Sequence, residues 1–107
     1  MSLDIDLIET VQYSVYSGNI THNLTRMADA AGIYEHLWRL EEMGITTAKQ
    51  LIQPLTEGLG RLENDQAKFE KFNPDNGWGS YHGLVEFVRN YLIACKEHPE
   101  AKIEVSR

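Results

Sequence analysis

Apolar and polar positions repeat with two different periods along this chain, and the change of period marks out its elements. Between Glu9 and Asn19, Val11, Tyr13 and Val15 alternate with Gln12, Ser14 and Tyr16. A period of two, carried by β-branched and aromatic residues, predicts a half-buried strand. Ser17-Gly18-Asn19 reads as the turn that ends it. The spacing then becomes helical. Leu24, Met27, Ala28 and Ala31 fall at i, i+3, i+4 and i+7. Thr21 and His22 stand at the start of this helix, and Thr21 is the better cap because its hydroxyl can accept from a free amide. Gly32 is the stop. A short second helix is expected over Ile33 to Leu40, with Ile33 and Leu37 on one side. Met43-Gly44-Ile45 leads to a further cap at Thr46 or Thr47.

Leu51, Ile52, Leu55, Leu59 and Leu62 form the next apolar stripe. Pro54 lies inside it and lacks the amide proton that would reach the carbonyl four residues back, so a kink or frayed turn is expected. Gly58 and Gly60 weaken the helix by roughly 1 kcal/mol each relative to alanine, so it must owe its stability to packing. Asp65 to Phe72 is a shorter helical piece anchored by Phe69 and Phe72. Asn73-Pro74-Asp75-Asn76-Gly77-Trp78-Gly79 is the longest loop signal. Ser80 then caps the strongest helix. Tyr81, Leu84, Val85, Val88, Tyr91, Leu92 and Cys95 share one face, and Glu86, Arg89, Asn90, Lys96 and Glu97 the other. Pro99 ends it, and Lys102 to Ser106 alternate again as a strand.

These elements predict an α+β fold: a mainly helical, small single domain over residues 1–107, in which the N- and C-terminal strands pair in a small sheet covered by helices. The alternative is that each strand adds to one in another subunit, giving a homo-oligomer.

The composition narrows the setting. A chain of 107 residues has room for one core, and 42% apolar residues suit a globular domain. The net charge of −6 opposes contact with nucleic-acid phosphates and anionic membranes, and the ten Lys and Arg residues form no basic patch. Neither nucleic acid nor membrane is therefore an expected partner. The single cysteine, Cys95, cannot form an internal disulfide. Asp4, Asp6 and Glu9 crowd the first ten residues, where a signal peptide would be basic and then apolar. A cytoplasmic location is the expectation, and Asn19-Ile20-Thr21 and Asn23-Leu24-Thr25 read as turn and cap chemistry instead of glycosylation sites.

Three segments carry candidate binding chemistry. Tyr16 to Asn23 joins a strand to a helix start, where free amides attract anions and Asn19, Thr21, His22 and Asn23 add polar groups; the competing reading is plain capping. Tyr34, His36, Trp38 and Arg39 offer a stacking face and a planar guanidinium, set against a core Trp38 and an Arg39 paired with Glu41 or Glu42. In Asn76-Gly77-Trp78-Gly79-Ser80-Tyr81, the glycines allow Trp78 to serve as a lid over a ligand or as a plug in the core. The chain has no Walker lysine and no glycine-rich dinucleotide fingerprint. His22, His36, His82 and His98 lack metal-ligand spacing, so neither metal nor cofactor is implied. Cys95 lies on an apolar helix face and reads as an inert core thiol.

One pattern extends over most of the chain. Asn19-Ile20-Thr21-His22-Asn23-Leu24, Met27-Ala28, Ala31-Gly32-Ile33-Tyr34 and Leu37-Trp38-Arg39 are followed by Phe72-Asn73-Pro74, Asn76-Gly77-Trp78-Gly79 and Tyr81. Phe87-Val88, Tyr91-Leu92, Ala94-Cys95 and Glu104-Val105-Ser106-Arg107 complete it. This resembles a family of short uncharacterised proteins from bacteria and their phages. Leu40 stands where that pattern has proline, and Met1 to Ser17 lies outside it. The resemblance implies a bacterial or phage setting and brings no mechanism.

The leading expectation is a non-enzymatic binding protein for a small polar, anionic, nucleotide-like ligand, such as a phage protein that sequesters a signal. Its site would draw on Asn19, Thr21, His22, Asn23, Trp38, Arg39, Trp78, Tyr81 and Arg107, through stacking and charge-assisted hydrogen bonds. The alternative is a protein–protein module, a host-factor inhibitor or small structural subunit, with Trp38 and Trp78 as exposed anchors. A small hydrolase using His22 as base is the third reading, and it requires a carboxylate within reach of that ring.

Overall fold

The N-terminal residues that read only as a run of acid also alternate: Leu3, Ile5 and Leu7 with Asp4 and Asp6. In the computed structural model, which describes residues 1–10 and 13–107, that alternation builds the central strand of the sheet. Strand β1 (Ser2–Thr10) buries Leu3, Ile5 and Leu7 completely. It pairs antiparallel with β2 (Tyr13–Thr21) on one side and antiparallel with β3 (Lys102–Ser106) on the other. Among the described residues the sheet has three strands in the order β2-β1-β3.

The α+β class holds and the chain's first and last strands pair, but the partner of β3 is β1 (over Asp4 to Ile8), and the body of the strand expected over Glu9 to Asn19 lies on the opposite edge. The strand expected over Glu9 to Asn19 is divided, however. Its start belongs to the end of β1, its body is β2, and Val11 and Gln12 lie outside the described residues. Ser17-Gly18-Asn19 does not turn but continues in β2, facing Asp6, Ile5 and Asp4 of β1. Local turn chemistry is overridden here by the ladder. Gly18 also sits in tight packing, since a Cβ there would lie 3.3 Å from Phe87 Cε1 and 3.4 Å from Ile5 Cδ1 and would need the Phe87 ring to give slightly.

Five α-helices among the described residues follow: α1 (Thr25–Ala30), α2 (Tyr34–Trp38), α3 (Lys49–Asn64), α4 (Gln66–Glu70) and α5 (Tyr81–Glu97). Thr21 accepts from the Asn23 amide and caps a 3-10 turn, His22–Leu24, that precedes α1. Gly32 ends that unit in the left-handed region, at φ 78°. The helix expected to reach Leu40 stops at Trp38, and Leu40–Met43 forms a separate 3-10 turn. The cap expected from Thr46 or Thr47 is not made. Among the described residues no side chain caps α3, and the Ala48 and Lys49 amides donate to the Ala101 and Pro99 carbonyls at 2.9 Å, while Gln50 Oε1 accepts from the Thr46 and Thr47 amides ahead of the helix at 2.8 and 3.0 Å. Thr46 and Thr47 are engaged otherwise: the Ile103 amide donates to the Thr46 carbonyl, and Thr47 bridges to Lys102.

Helix α3 runs through Pro54 without interruption, and Gly58 is buried where a Cβ would overlap Ile33 Cγ2. Asp65 caps α4 and Ser80 caps α5, through Ser80 Oγ accepting from the Gly83 amide at 3.1 Å. Helix α5 is the centre of the core. It packs against α3 and β2 and buries Tyr81, Leu84, Phe87, Val88, Tyr91 and Cys95. No helix among the described residues is long and apolar enough to cross a membrane.

Candidate functional site

The turn at Thr21–Leu24 is where the three chemistry-bearing segments meet. Gly79, at φ 112°, runs against this turn so closely that a Cβ would lie 2.8 Å from Thr21 Cγ2 and 3.1 Å from Leu24 Cγ. Asn23 Nδ2 donates to the Trp78 carbonyl at 3.1 Å and fastens the loop there. On the other side, the His22 ring meets the edge of Trp38 at 6.2 Å between centroids, and Tyr34 stacks on Trp38 at 5.7 Å. Arg39 Nε donates to Tyr34 Oη at 3.4 Å. Arg107 donates to the Trp38 carbonyl at 2.8 Å and to Glu41 Oε1 at 2.5 Å. A backbone hydrogen bond and the Arg107 guanidinium together hold the Glu41 carboxyl below its usual range.

This convergence does not form a ligand cup. Trp38 is only 2% exposed and works as core beneath Tyr34. Arg39, Arg107 and Asn23 direct polar groups at neighbouring protein atoms. Tyr81 is buried, and its hydroxyl donates to the Leu62 carbonyl at 2.6 Å; burial pushes its pKa up. Asn19 lies on the outer sheet face, where its amide donates to Ser2 Oγ at 2.9 Å and to Asp4. His22 Nε2 and Trp38 Nε1 are buried without hydrogen-bond partners among the described residues. The His22 ring thus lacks the carboxylate that the hydrolase reading requires.

Trp78 departs from both of its expected roles. It neither plugs the core nor covers a buried site, and it stands 72% exposed. The loop beneath it is fixed from three sides. Asn76 Oδ1 accepts from the Trp78 amide at 2.9 Å, Asn23 holds the Trp78 carbonyl, and Asn73 Oδ1 accepts from the Tyr81 amide at 2.7 Å. The glycines at 77 and 79 both take positive φ, which lets the chain reverse around the indole.

The larger surface concavities lie elsewhere. A trough of about 570 Å³ between α2 and α3 is lined by His36, Lys49, Gln50, Gln53, Glu57 and Arg61 among others. Lys49, Gln53, Glu57 and Arg61 recur every four residues, so one helical face carries them, a signal present in the sequence beside the apolar stripe. Arg61 Nε donates to the Ala31 carbonyl at 2.8 Å, and Lys49 pairs with Glu100 at 3.3 Å. His36 Nδ1 is buried without a partner among the described residues. A smaller groove of about 260 Å³ separates the β2 edge from α5, between Tyr16, Gly18, Asn19, Gly83, Phe87 and Asn90. Among the described residues no group of three or more His, Cys, Asp and Glu side chains is placed to hold a metal ion.

Comparison of the chain with models of protein families, with curated proteins and with solved structures finds no match.

Proposed function

We propose that the protein is a small interaction module that docks on a protein partner through Trp78. The observation that carries this reading is an exposed indole on a loop pinned by three asparagines. A tryptophan presented on an ordered loop loses little conformational freedom on binding, and such residues are the commonest interface anchors. The bacterial or phage setting that the sequence resemblance implies, with the cytoplasmic location expected from composition, suits a host-factor inhibitor or small structural subunit. Trp78→Ala should leave the folded state intact, with stability changed by less than about 0.5 kcal/mol, because the side chain is mostly in water. Affinity capture from source-cell extract with wild type and Trp78→Ala, both with matched melting profiles, tests the docking role. Proteins retained by the wild type alone support it. An identical set retained by both ends it.

A second reading keeps the small anionic ligand but moves it to the α2–α3 trough. Lys49, Arg61 and the unpartnered His36 Nδ1 favour it. A thermal-shift screen against nucleotides and acidic metabolites checks this. A ligand at about 100 times its Kd adds roughly 2.7 kcal/mol, and Arg61→Ala should abolish that gain.

A further inference from the structure

The two edges of the sheet are treated differently by the sequence. The β3 edge is short and defended. Lys102 and Glu104 alternate along it, Thr47 bridges to Lys102, and Ile103 donates to the Thr46 carbonyl. The β2 edge carries nine residues, Tyr13 to Thr21, without a charge or a proline, and beyond the register irregularity at Val15 its stretch Tyr16–Thr21 pairs regularly with β1. In a chain of net charge −6, an uncharged strand this long is an exposed pairing template.

We propose that β2 pairs antiparallel with β2 of a second copy, joining two three-stranded sheets into one of six. Charge selects this occupant and this edge. A twofold axis at Ser17, within the regular stretch Tyr16–Thr21, makes Ser17 face its own copy and Tyr16 face Gly18 of the copy. The nearest ladder carboxylate, Asp6, lies across from Ser17 within each subunit. Asp6 and its copy would then stand three strand spacings apart, roughly 14 Å. That exceeds the Debye length of about 8 Å at physiological salt, so their repulsion is screened. The same operation on β3 would centre on Glu104 and set two carboxylates directly opposite each other. The groove beside β2 also gives the added strand somewhere to seat its inward side chains, against Gly83, Phe87 and Asn90 of α5; the exposed Glu86 lines it too and meets only the uncharged residues of the added strand. The surface is separate from the Trp78 loop, so this inference stands or falls independently of the docking role proposed above.

The test uses the full chain. Sedimentation equilibrium should show a dimer. Ser17→Lys should weaken self-association about tenfold or more, since it sets two ammonium groups together at the axis. The same lysine faces Asp6 within its own subunit, which protects the fold. Ser17→Cys should crosslink to its own copy under mild oxidation, because facing residues of antiparallel strands lie within disulfide reach. The native thiol, Cys95, is buried and does not compete. Glu104→Cys on the other edge should remain uncrosslinked. A wild type that stays monomeric at high micromolar concentration and gives no crosslink through Ser17→Cys overturns the proposal. So does a dimer indifferent to Ser17→Lys, or a monomer that takes up only an unrelated extended peptide along β2.

Discussion

Gly58 and Gly60 stand two positions apart on α3 and meet opposite surroundings. A methyl group at 58 would overlap Ile33, while at 60 it would find nothing within 4 Å. Gly58→Ala is expected to destabilise by about 1–3 kcal/mol through overpacking. Gly60→Ala is expected to stabilise by up to about 1 kcal/mol, because alanine costs the helix less entropy. Urea unfolding of the two variants should move their midpoints in opposite directions. Cys95 is equally position-dependent. Burial pushes its thiol from an ordinary value near 9 up to about 12. The folded state thus holds a proton that the unfolded chain has already lost. Its contribution to stability is complete below pH 9 and disappears as pH climbs toward 12. Burial raises Tyr16 and Tyr91 as well, which steepens the loss above about pH 10. The urea midpoint should fall across that window, and a thiol reagent at pH 8 should label Cys95 only in the unfolded chain. Rapid labelling of the native protein would contradict the burial.

At the scale of elements, β1 carries the most constraint and an internal conflict. Its inward positions are fully buried, while outward Asp6 faces Glu104 of β3 directly across the ladder. Like charges in that position are destabilising, so Glu104→Lys should raise stability by roughly 0.2–1 kcal/mol. The gain should shrink in high salt, and a loss of stability would show that the pair is already relieved by solvent. The helical elements are set more locally. Ser80, Asp65 and Thr21 cap as their side chains dictate. The α3 start is the exception, since Thr46 and Thr47 are drawn to β3 and the Ala48 and Lys49 amides donate to the carbonyls of Ala101 and Pro99 in place of a side-chain cap. No local rule in the sequence announces that exchange.

At the scale of the molecule, the fold is closed by its two ends. β1 and β3 are nearly a full chain length apart in sequence and lie side by side in the sheet. Removing residues 102–107 would strip one ladder from the central strand and uncover Leu7, which faces Ile103, and Ile5, which faces Val105. The truncated chain should lose its cooperative unfolding transition, as followed by circular dichroism. A sharp transition at an unchanged midpoint would mean that β3 is dispensable. The exposed Trp78 and the uncharged β2 edge are also whole-molecule properties, because each acquires meaning only from what the rest of the fold leaves uncovered.

The sequence by itself determined the elements whose signals are local. Helical periodicity with a serine cap defines α5, and alternation defines β3 and the body of β2, because both depend on side chains a few residues apart. Composition bounded the size of the core. Tertiary structure decided the rest. The alternation of Leu3, Ile5 and Leu7 was as regular as that of β3, yet its place at the centre of the sheet depends on partners at both ends of the chain. Whether Trp38 is core and Trp78 is surface follows from the packing of Trp38 on His22 and of Gly79 on Thr21 and Leu24, contacts that sequence distance hides. Asn23, Tyr81 and Arg107 of the expected site spend their donors on the carbonyls of Trp78, Leu62 and Trp38, and only three-dimensional proximity could decide that.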